Sequence, residues 1–161
     1  MNTEYLYIKD NVERIRERMA DAASKAGRKP EDILLLSACK TRTVEEVKAS
    51  AELDIDLFGE NHVQELVEKY DAGAYMGKEG HLIGHLQTNK IKYVLGRASL
   101  IQSVDSERLL LAIEAAAAKR DMVQDILLEV NIGEETSKTG MPVGELPRIL
   151  ELVAAQEHIR V

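Results

Sequence analysis

The stretch that decides the fold is residues 32–46, which read DILLLSACKTRTVEE. Its four consecutive apolar residues, 33–36, are typical of a strand buried on both faces, as strands of parallel sheets are. Thr43 and Glu46 then have the spacing of a capping box, in which the two side chains bond free amides at the start of a helix. Lys40 therefore stands between the end of a buried strand and the start of a helix, where α/β proteins bind ligands.

The position of Lys40 suggests a chemical role that these residues alone leave open. We expect a lysine at the end of a buried strand to be partly desolvated, and desolvation disfavours the charged form of an amine. A neutral amine attacks an aldehyde and gives a Schiff base. The alternative is a solvated loop lysine without chemistry, which is the ordinary situation for this residue type.

The composition is that of one globular domain. The chain has 161 residues, 45% hydrophobic and 30% charged, which is long enough to bury a core. A net charge of -7 disfavours nucleic acid and membrane surfaces as partners, and no apolar run reaches the roughly 18 residues of a membrane span. The N terminus lacks the pattern of a signal peptide. The single cysteine, Cys39, excludes an internal disulfide, so we expect a cytoplasmic protein.

Hydrophobic patterning predicts strands and helices in alternation. An N-terminal helix ends at Gly27 and Pro30, and Asp105 is expected to cap a later helix that extends to Arg120. The predicted strands are 33–36, 55–58, 81–84, 99–104, 125–131 and 159–161. The other predicted helices are 44–51, 62–70 and 143–155, and residues 85–90 are expected to enter one more helix. This alternation is typical of a parallel α/β fold.

Two architectures fit the alternation. One is an open, doubly wound sheet, which five strands can complete. The other is a (β/α)8 barrel, which needs at least about 200 residues. Length alone favours the open sheet.

Polar residues follow four of the predicted strands, and they include Lys40, Asn61, His85 and Asn131. Because the carboxyl ends of parallel strands lie on one face of the fold, we expect these four side chains to converge there. Together they are the candidate binding site.

Three other patterns in the sequence give weaker evidence for a functional site. His81 and His85 are four apart, but in a strand that spacing separates them by about 13 Å, which disfavours a metal pair. Cys39 is expected to be a small buried thiol rather than a nucleophile. The segment 133–140 lacks the order of residues found in a phosphate-binding Walker loop.

Five blocks of the sequence occur together in a known family. They are SACKT at 37–41, FGEN at 58–61 with VQE at 63–65, HLIGHLQTNK at 81–90, SVDS at 103–106, and VN at 130–131 with Glu135, Ser137, Lys138 and Gly140. With them the chain resembles the pyridoxal phosphate homeostasis proteins, single-domain relatives of the alanine racemase N-terminal barrel. The resemblance covers nearly the whole chain from Ile33 onward, and the block at 81–90 is highly specific.

The resemblance implies a fold and a site. The fold is an α/β (β/α)8 TIM-type barrel with an extra N-terminal helix, here an incomplete barrel of about five βα units. Residues 1–161 are then a single domain that binds pyridoxal 5′-phosphate and is truncated at its C terminus. Lys40 holds the cofactor as a Schiff base, and Asn61, His85 and Asn131 line it. No catalytic residue and no metal ligand is implied.

The resemblance also implies a function. Proteins of this family store the cofactor and buffer its concentration, without an established reaction, and they pass it to apo-enzymes that need it. The alternative is a cofactor-dependent amino-acid racemase, although such enzymes add a C-terminal domain. A third alternative is a regulatory or scaffolding fragment that does not bind the cofactor.

The sequence departs from the family pattern in several places. Cys39 stands where serine is common, Arg42 and Thr43 replace a frequent Lys-Pro, and Gly80 replaces a frequent tryptophan. The loops after the seventh and eighth strands, which commonly bind phosphate in such barrels, are expected beyond residue 161. An incomplete barrel exposes two sheet edges and an apolar interior, so self-association through the open side is expected to cover them.

Overall fold

In a computed structural model, which describes residues 5–133 and 139–161, the fold is built on a parallel sheet of six strands. The strands are β1 (Leu36–Ala38), β2 (Leu57–Glu60), β3 (Glu79–Leu82), β4 (Leu100–Val104), β5 (Gln124–Leu128) and β8 (Ile159–Arg160). A separate pair consists of β6 (Val130–Asn131) and β7 (Met141–Pro142).

Six helices accompany the described strands. They are α1 (Leu6–Lys25), α2 (Val44–Ala51), α3 (Val63–Asp71), α4 (Ile91–Val94), α5 (Glu107–Ala118) and α6 (Leu146–Ala154). Helix α1 precedes the sheet, as predicted, and each of α2 to α6 follows one strand of the large sheet and precedes the next. Among the described residues, no helix combines the length and the apolar character needed to cross a membrane.

The order of the strands in the sheet is the order of the strands in the chain. Every neighbouring pair is parallel, from β1–β2 through to β5–β8. A doubly wound sheet has a point where the strand order reverses, and the described sheet has none. Within the described residues β1 and β8 are unpaired with each other, so the architecture is an incomplete barrel. The doubly wound sheet favoured by length alone is therefore wrong.

The two faces of the sheet differ in burial. Phe58, Leu82, Ile101 and Ile126 point to the helices and are at most 1% exposed. On the opposite face, which would be the barrel interior, Ala38 and Leu127 are exposed. The expectation that an incomplete barrel exposes apolar interior surface is confirmed.

Several element boundaries differ from the predictions. Strand β1 begins at Leu36 rather than at residue 33, and Leu34, which precedes the strand, is 66% exposed. Among the described residues β1 pairs with β2 alone. Strand β2 lies two residues later than predicted and β3 two residues earlier. Helix α6 begins at Leu146 rather than at residue 143, after a 3-10 turn, and Pro147 lies in its first turn, where proline is tolerated.

The predicted capping box of Thr43 and Glu46 is present at the start of helix α2. It spans Val44–Ala51, the Thr43 side chain accepts a hydrogen bond from the Glu46 amide, and the Glu46 carboxylate accepts one from the Thr43 amide. The cap predicted for α5 is wrong, because Ser106 and not Asp105 accepts from the Leu109 amide.

Candidate functional site

The candidate site is the face of the sheet at the carboxyl ends of the strands. Lys40 follows β1, Asn61 follows β2, His85 follows β3, and Asn131 ends the short strand β6 that continues from β5. Because β1 to β5 are parallel, all four predicted residues lie on the same side of the fold.

Lys40 lies in the turn between β1 and α2 and its side chain is exposed. The expectation that it is partly desolvated is wrong for this structure. The strand ends at Ala38, and the preceding residue, Cys39, is the one that is buried. Lys40 is therefore an accessible amine.

Helix α3 contacts the main chain on both sides of Lys40. The Lys69 ammonium group donates a hydrogen bond to the carbonyl oxygen of Cys39 at 2.6 Å. The Glu65 carboxylate accepts one from the backbone N–H of Thr41 at 3.0 Å. Thr41 has a backbone φ angle of 65°, which is in the left-handed region and is unusual for a β-branched residue.

A buried ionic cluster lies beneath this turn. Lys69 is 3.0 Å from the carboxylate of Glu60, and the Tyr75 hydroxyl donates to the same carboxylate at 3.4 Å. Burial raises the pKa of Glu60, although the Lys69 ammonium opposes the shift. Burial, reinforced by the Glu60 charge, also raises the pKa of Tyr75.

Sequence reasoning missed this cluster. In α3, Lys69 is 2% exposed whereas the neighbouring Tyr70 is 45% exposed, which is the reverse of what residue type alone suggests. The available signal was Glu60, a carboxylate at the end of an otherwise apolar strand, because a buried carboxylate needs a cationic partner.

The ends of β2 and β3 pack closely at the site. A Cβ atom added to Gly84 would lie 2.8 Å from the carbonyl carbon of Asn61 and closer still to its oxygen. The Gly84 carbonyl also accepts a hydrogen bond from the Ser103 hydroxyl at 2.6 Å. Glycine at position 84 therefore lets the main chain carrying His85 approach the main chain of Asn61.

His85 has a carboxylate partner at the end of the next strand. Its Nδ1 atom lies 3.2 Å from the Asp105 carboxylate. The two residues line a cleft of about 640 Å³, together with residues of the β3–α4 loop, the start of α5, Thr139 and Gly140. Asp105 is therefore a further candidate site residue, to which the sequence pattern assigned only a helix cap.

Asn131 lies in β6, which pairs with β7 through Val130–Met141 and Asn131–Pro142. Gly140 packs against it, since an added Cβ would lie 2.7 Å from the Asn131 backbone nitrogen. The fifth block of the family resemblance also includes Glu135, Ser137 and Lys138, which lie outside the described residues.

The structure also describes the histidine pair and the cysteine, which the sequence disfavoured as a metal site and as a nucleophile. His81 is buried in β3, with its Nδ1 atom 2.9 Å from the Gln102 amide nitrogen, and His85 is exposed beyond that strand. The described residues contain no group of three ligands suited to a metal ion. Cys39 is 3% exposed, as expected, and burial raises the pKa of its thiol.

The chain is similar to a known family over nearly its whole length. The family model described as "Alanine racemase, N-terminal domain" matches residues 7–161. A protein of Aquifex aeolicus named "Pyridoxal phosphate homeostasis protein" is 37% identical over 152 residues, which is 94% of this chain and 67% of that protein. The chain thus spans about two thirds of the length of this relative.

Solved structures have the same fold. An unknown protein from Bifidobacterium adolescentis is 32% identical and superposes with a TM-score of 0.90, covering 100% of this chain and 69% of the other. PipY of Synechococcus elongatus, solved with pyridoxal phosphate bound, is 23% identical with a TM-score of 0.74. The alignment covers 89% of this chain and 67% of PipY. At this sequence identity the similarity shows a common fold and nothing about function.

Proposed function

Because the chain belongs to the alanine racemase N-terminal domain family and, within it, to the pyridoxal phosphate homeostasis proteins, we propose that it binds pyridoxal 5′-phosphate as a Schiff base on Lys40. The main support for this proposal is the position of Lys40. It is an exposed primary amine at the carboxyl-end face, where three other polar candidate residues also lie.

The chemistry of these side chains fits the cofactor. The cofactor supplies an aldehyde that condenses with a primary amine and releases water. Lys40 provides the amine, and Asn61 and Asn131 provide amide groups that can donate to or accept from ring substituents. His85 provides an imidazole that its Asp105 partner holds in place.

The proposed role is storage and buffering rather than catalysis. A free aldehyde reacts with exposed amines throughout the cell, and reversible capture on one lysine limits those reactions. Release to apo-enzymes that depend on the cofactor would complete the role. We propose that residues 1–161 form a single binding domain, that its open side self-associates, and that it acts in the cytoplasm, where a thiol such as that of Cys39 remains reduced.

A binding experiment tests the proposal. The chain is incubated with pyridoxal 5′-phosphate, and the visible absorbance band of a protonated Schiff base is recorded. We expect a band for the wild type and for Lys48→Arg, which changes another exposed lysine, and no band for Lys40→Arg. A band of equal size in Lys40→Arg would overturn the assignment of Lys40. No band in the wild type would favour a fragment that does not bind the cofactor.

Racemase activity is the second candidate, and the family model named for alanine racemase is what favours it. It is tested by incubating the loaded chain with L-alanine and measuring the D-enantiomer. We expect no enantiomer above the level produced by the free cofactor. Production that depends on Lys40 would replace the storage role with a catalytic one.

A further inference from the structure

Two contacts from α3 bracket Lys40 in the sequence. Lys69 bonds the carbonyl of Cys39, the residue before it, and Glu65 bonds the amide of Thr41, the residue after it. One helix thus holds the main chain at both neighbours of the exposed amine.

The conformation held by these contacts is not one that the turn would adopt by itself. Thr41 has φ 65, and such a conformation persists in a β-branched residue only where its surroundings enforce it. The hydrogen bond from the Thr41 amide to Glu65 is one such constraint, and the capping box of Thr43 begins two residues later.

Glu65 makes this contact in an unfavourable setting. Its second carboxylate oxygen is buried and has no hydrogen-bond partner among the described residues. A buried polar atom without a partner lowers stability. The contact that offsets this cost among the described residues is the hydrogen bond from the Thr41 amide to the other carboxylate oxygen.

The Lys69 ammonium group that bonds the Cys39 carbonyl is buried. The Lys69 side chain is 2% exposed and that of its partner Glu60 is 0% exposed. Because a buried ammonium group must keep its acceptors, Lys69 is committed to the Glu60 carboxylate and the Cys39 carbonyl.

We propose that Glu65 and Lys69 are positioning residues that fix the turn around Lys40 and so make this lysine the preferred amine for an aldehyde. The proposal rests on the proposed function. In the step concerned, the Lys40 nitrogen attacks the aldehyde carbon, a C=N bond forms, and the aldehyde oxygen leaves as water. At the turn, Glu65 and Lys69 bond main-chain groups on either side of Lys40. They act by reducing the conformations open to the turn.

The first test uses the chain without cofactor. Hydrogen exchange of the Thr41 amide is measured by NMR in the wild type, Glu65→Ala, Glu65→Gln and Glu68→Ala. In Glu65→Ala we expect exchange faster by roughly tenfold, because the acceptor is lost. Glu65→Gln keeps an acceptor oxygen and should restore slow exchange. Glu68→Ala, an exposed position on the same helix, should match the wild type.

The second test measures selectivity. Each variant is treated with pyridoxal 5′-phosphate and borohydride, which reduces the C=N bond to a stable amine, and the label on Lys40 is compared with the label on Lys48. We expect Glu65→Ala to lower the Lys40:Lys48 ratio by roughly tenfold and Glu65→Gln to restore it. An unchanged ratio in Glu65→Ala would overturn the proposal.

A second variant covers the case in which Glu65→Ala does not fold. The double variant Glu60→Gln/Lys69→Met removes the donor to the Cys39 carbonyl without leaving an unpaired buried charge. In this double variant the Lys40:Lys48 label ratio is expected to fall as in Glu65→Ala, and an unchanged ratio would overturn the positioning role. A wild-type chain that shows no preference for Lys40 would instead overturn the proposed function.

Discussion

The Lys69 ammonium group lies 3.0 Å from the Glu60 carboxylate, and the two side chains are among the most buried polar groups of the described chain. The same ammonium group reaches the Cys39 carbonyl at 2.6 Å. This ion pair therefore joins β2, α3 and the turn that carries Lys40 into one unit.

Removing one member of the pair should destabilise the fold strongly. In Lys69→Met the Glu60 carboxylate loses its cation, and breaking a buried pair in this way costs about 3–5 kcal/mol. Urea unfolding followed by circular dichroism measures the change. The double variant Glu60→Gln/Lys69→Met removes both charges and should recover most of the loss. A single variant as stable as the wild type would mean that the pair is not buried in solution.

Gly84→Ala should disturb the site directly. The added Cβ would overlap the Asn61 carbonyl, so the ends of β2 and β3 must separate, and overpacking of this kind costs typically about 1–3 kcal/mol. We also expect less cofactor bound at Lys40. Gly144→Ala is the control, because a Cβ there meets nothing within 4 Å. If the two alanine variants unfold at the same urea concentration, the close approach is refuted.

Thr43→Ala should destabilise α2 by about 1 kcal/mol, because the capping box loses its hydroxyl acceptor. The backbone N–H of Thr43 lowers the pKa of Glu46, so the contribution of this carboxylate is present at neutral pH and is lost as the solution is acidified. Urea unfolding at neutral and acidic pH measures both effects. Lys48→Ala, at an exposed position inside the same helix, should have a smaller effect, because lysine and alanine are both good helix formers. An equal loss in both variants would contradict the cap.

Cys39 should react slowly with iodoacetamide until the chain unfolds, because the thiolate is the reactive form and burial raises the pKa of this thiol. The folded chain then keeps a proton that the unfolded chain releases above about pH 9. The free energy of unfolding should therefore fall as pH rises through that range. In Cys39→Ala the fall should be shallower, and an identical slope in both proteins would show that the thiol titrates normally.

The sequence predicted best those features that a few neighbouring residues determine. The capping box at Thr43 placed α2 at its observed bounds. The first strand was less well placed, because a run of apolar residues does not show where pairing with the neighbouring strand begins, and such a run can extend beyond the buried part of the chain. In the structure Leu34 is exposed, and pairing with β2 begins at Leu36.

Features that depend on distant parts of the chain were harder to predict. Burial of Lys69 needs Glu60 and the Cys39 carbonyl, and no local pattern in α3 shows either of them. The sequential strand order is likewise a tertiary property, and only the family resemblance predicted a barrel. The same limit applies to Asp105, whose partner His85 lies at the end of another strand.

The most direct measurement is the location of the cofactor after reductive trapping. The chain is incubated with substoichiometric pyridoxal 5′-phosphate, reduced with borohydride, digested, and mapped by mass spectrometry. We expect one phosphopyridoxyl group, on the peptide that contains Lys40, and its loss in Lys40→Arg. A label spread over exposed lysines such as Lys48, with the same total in Lys40→Arg, would contradict it.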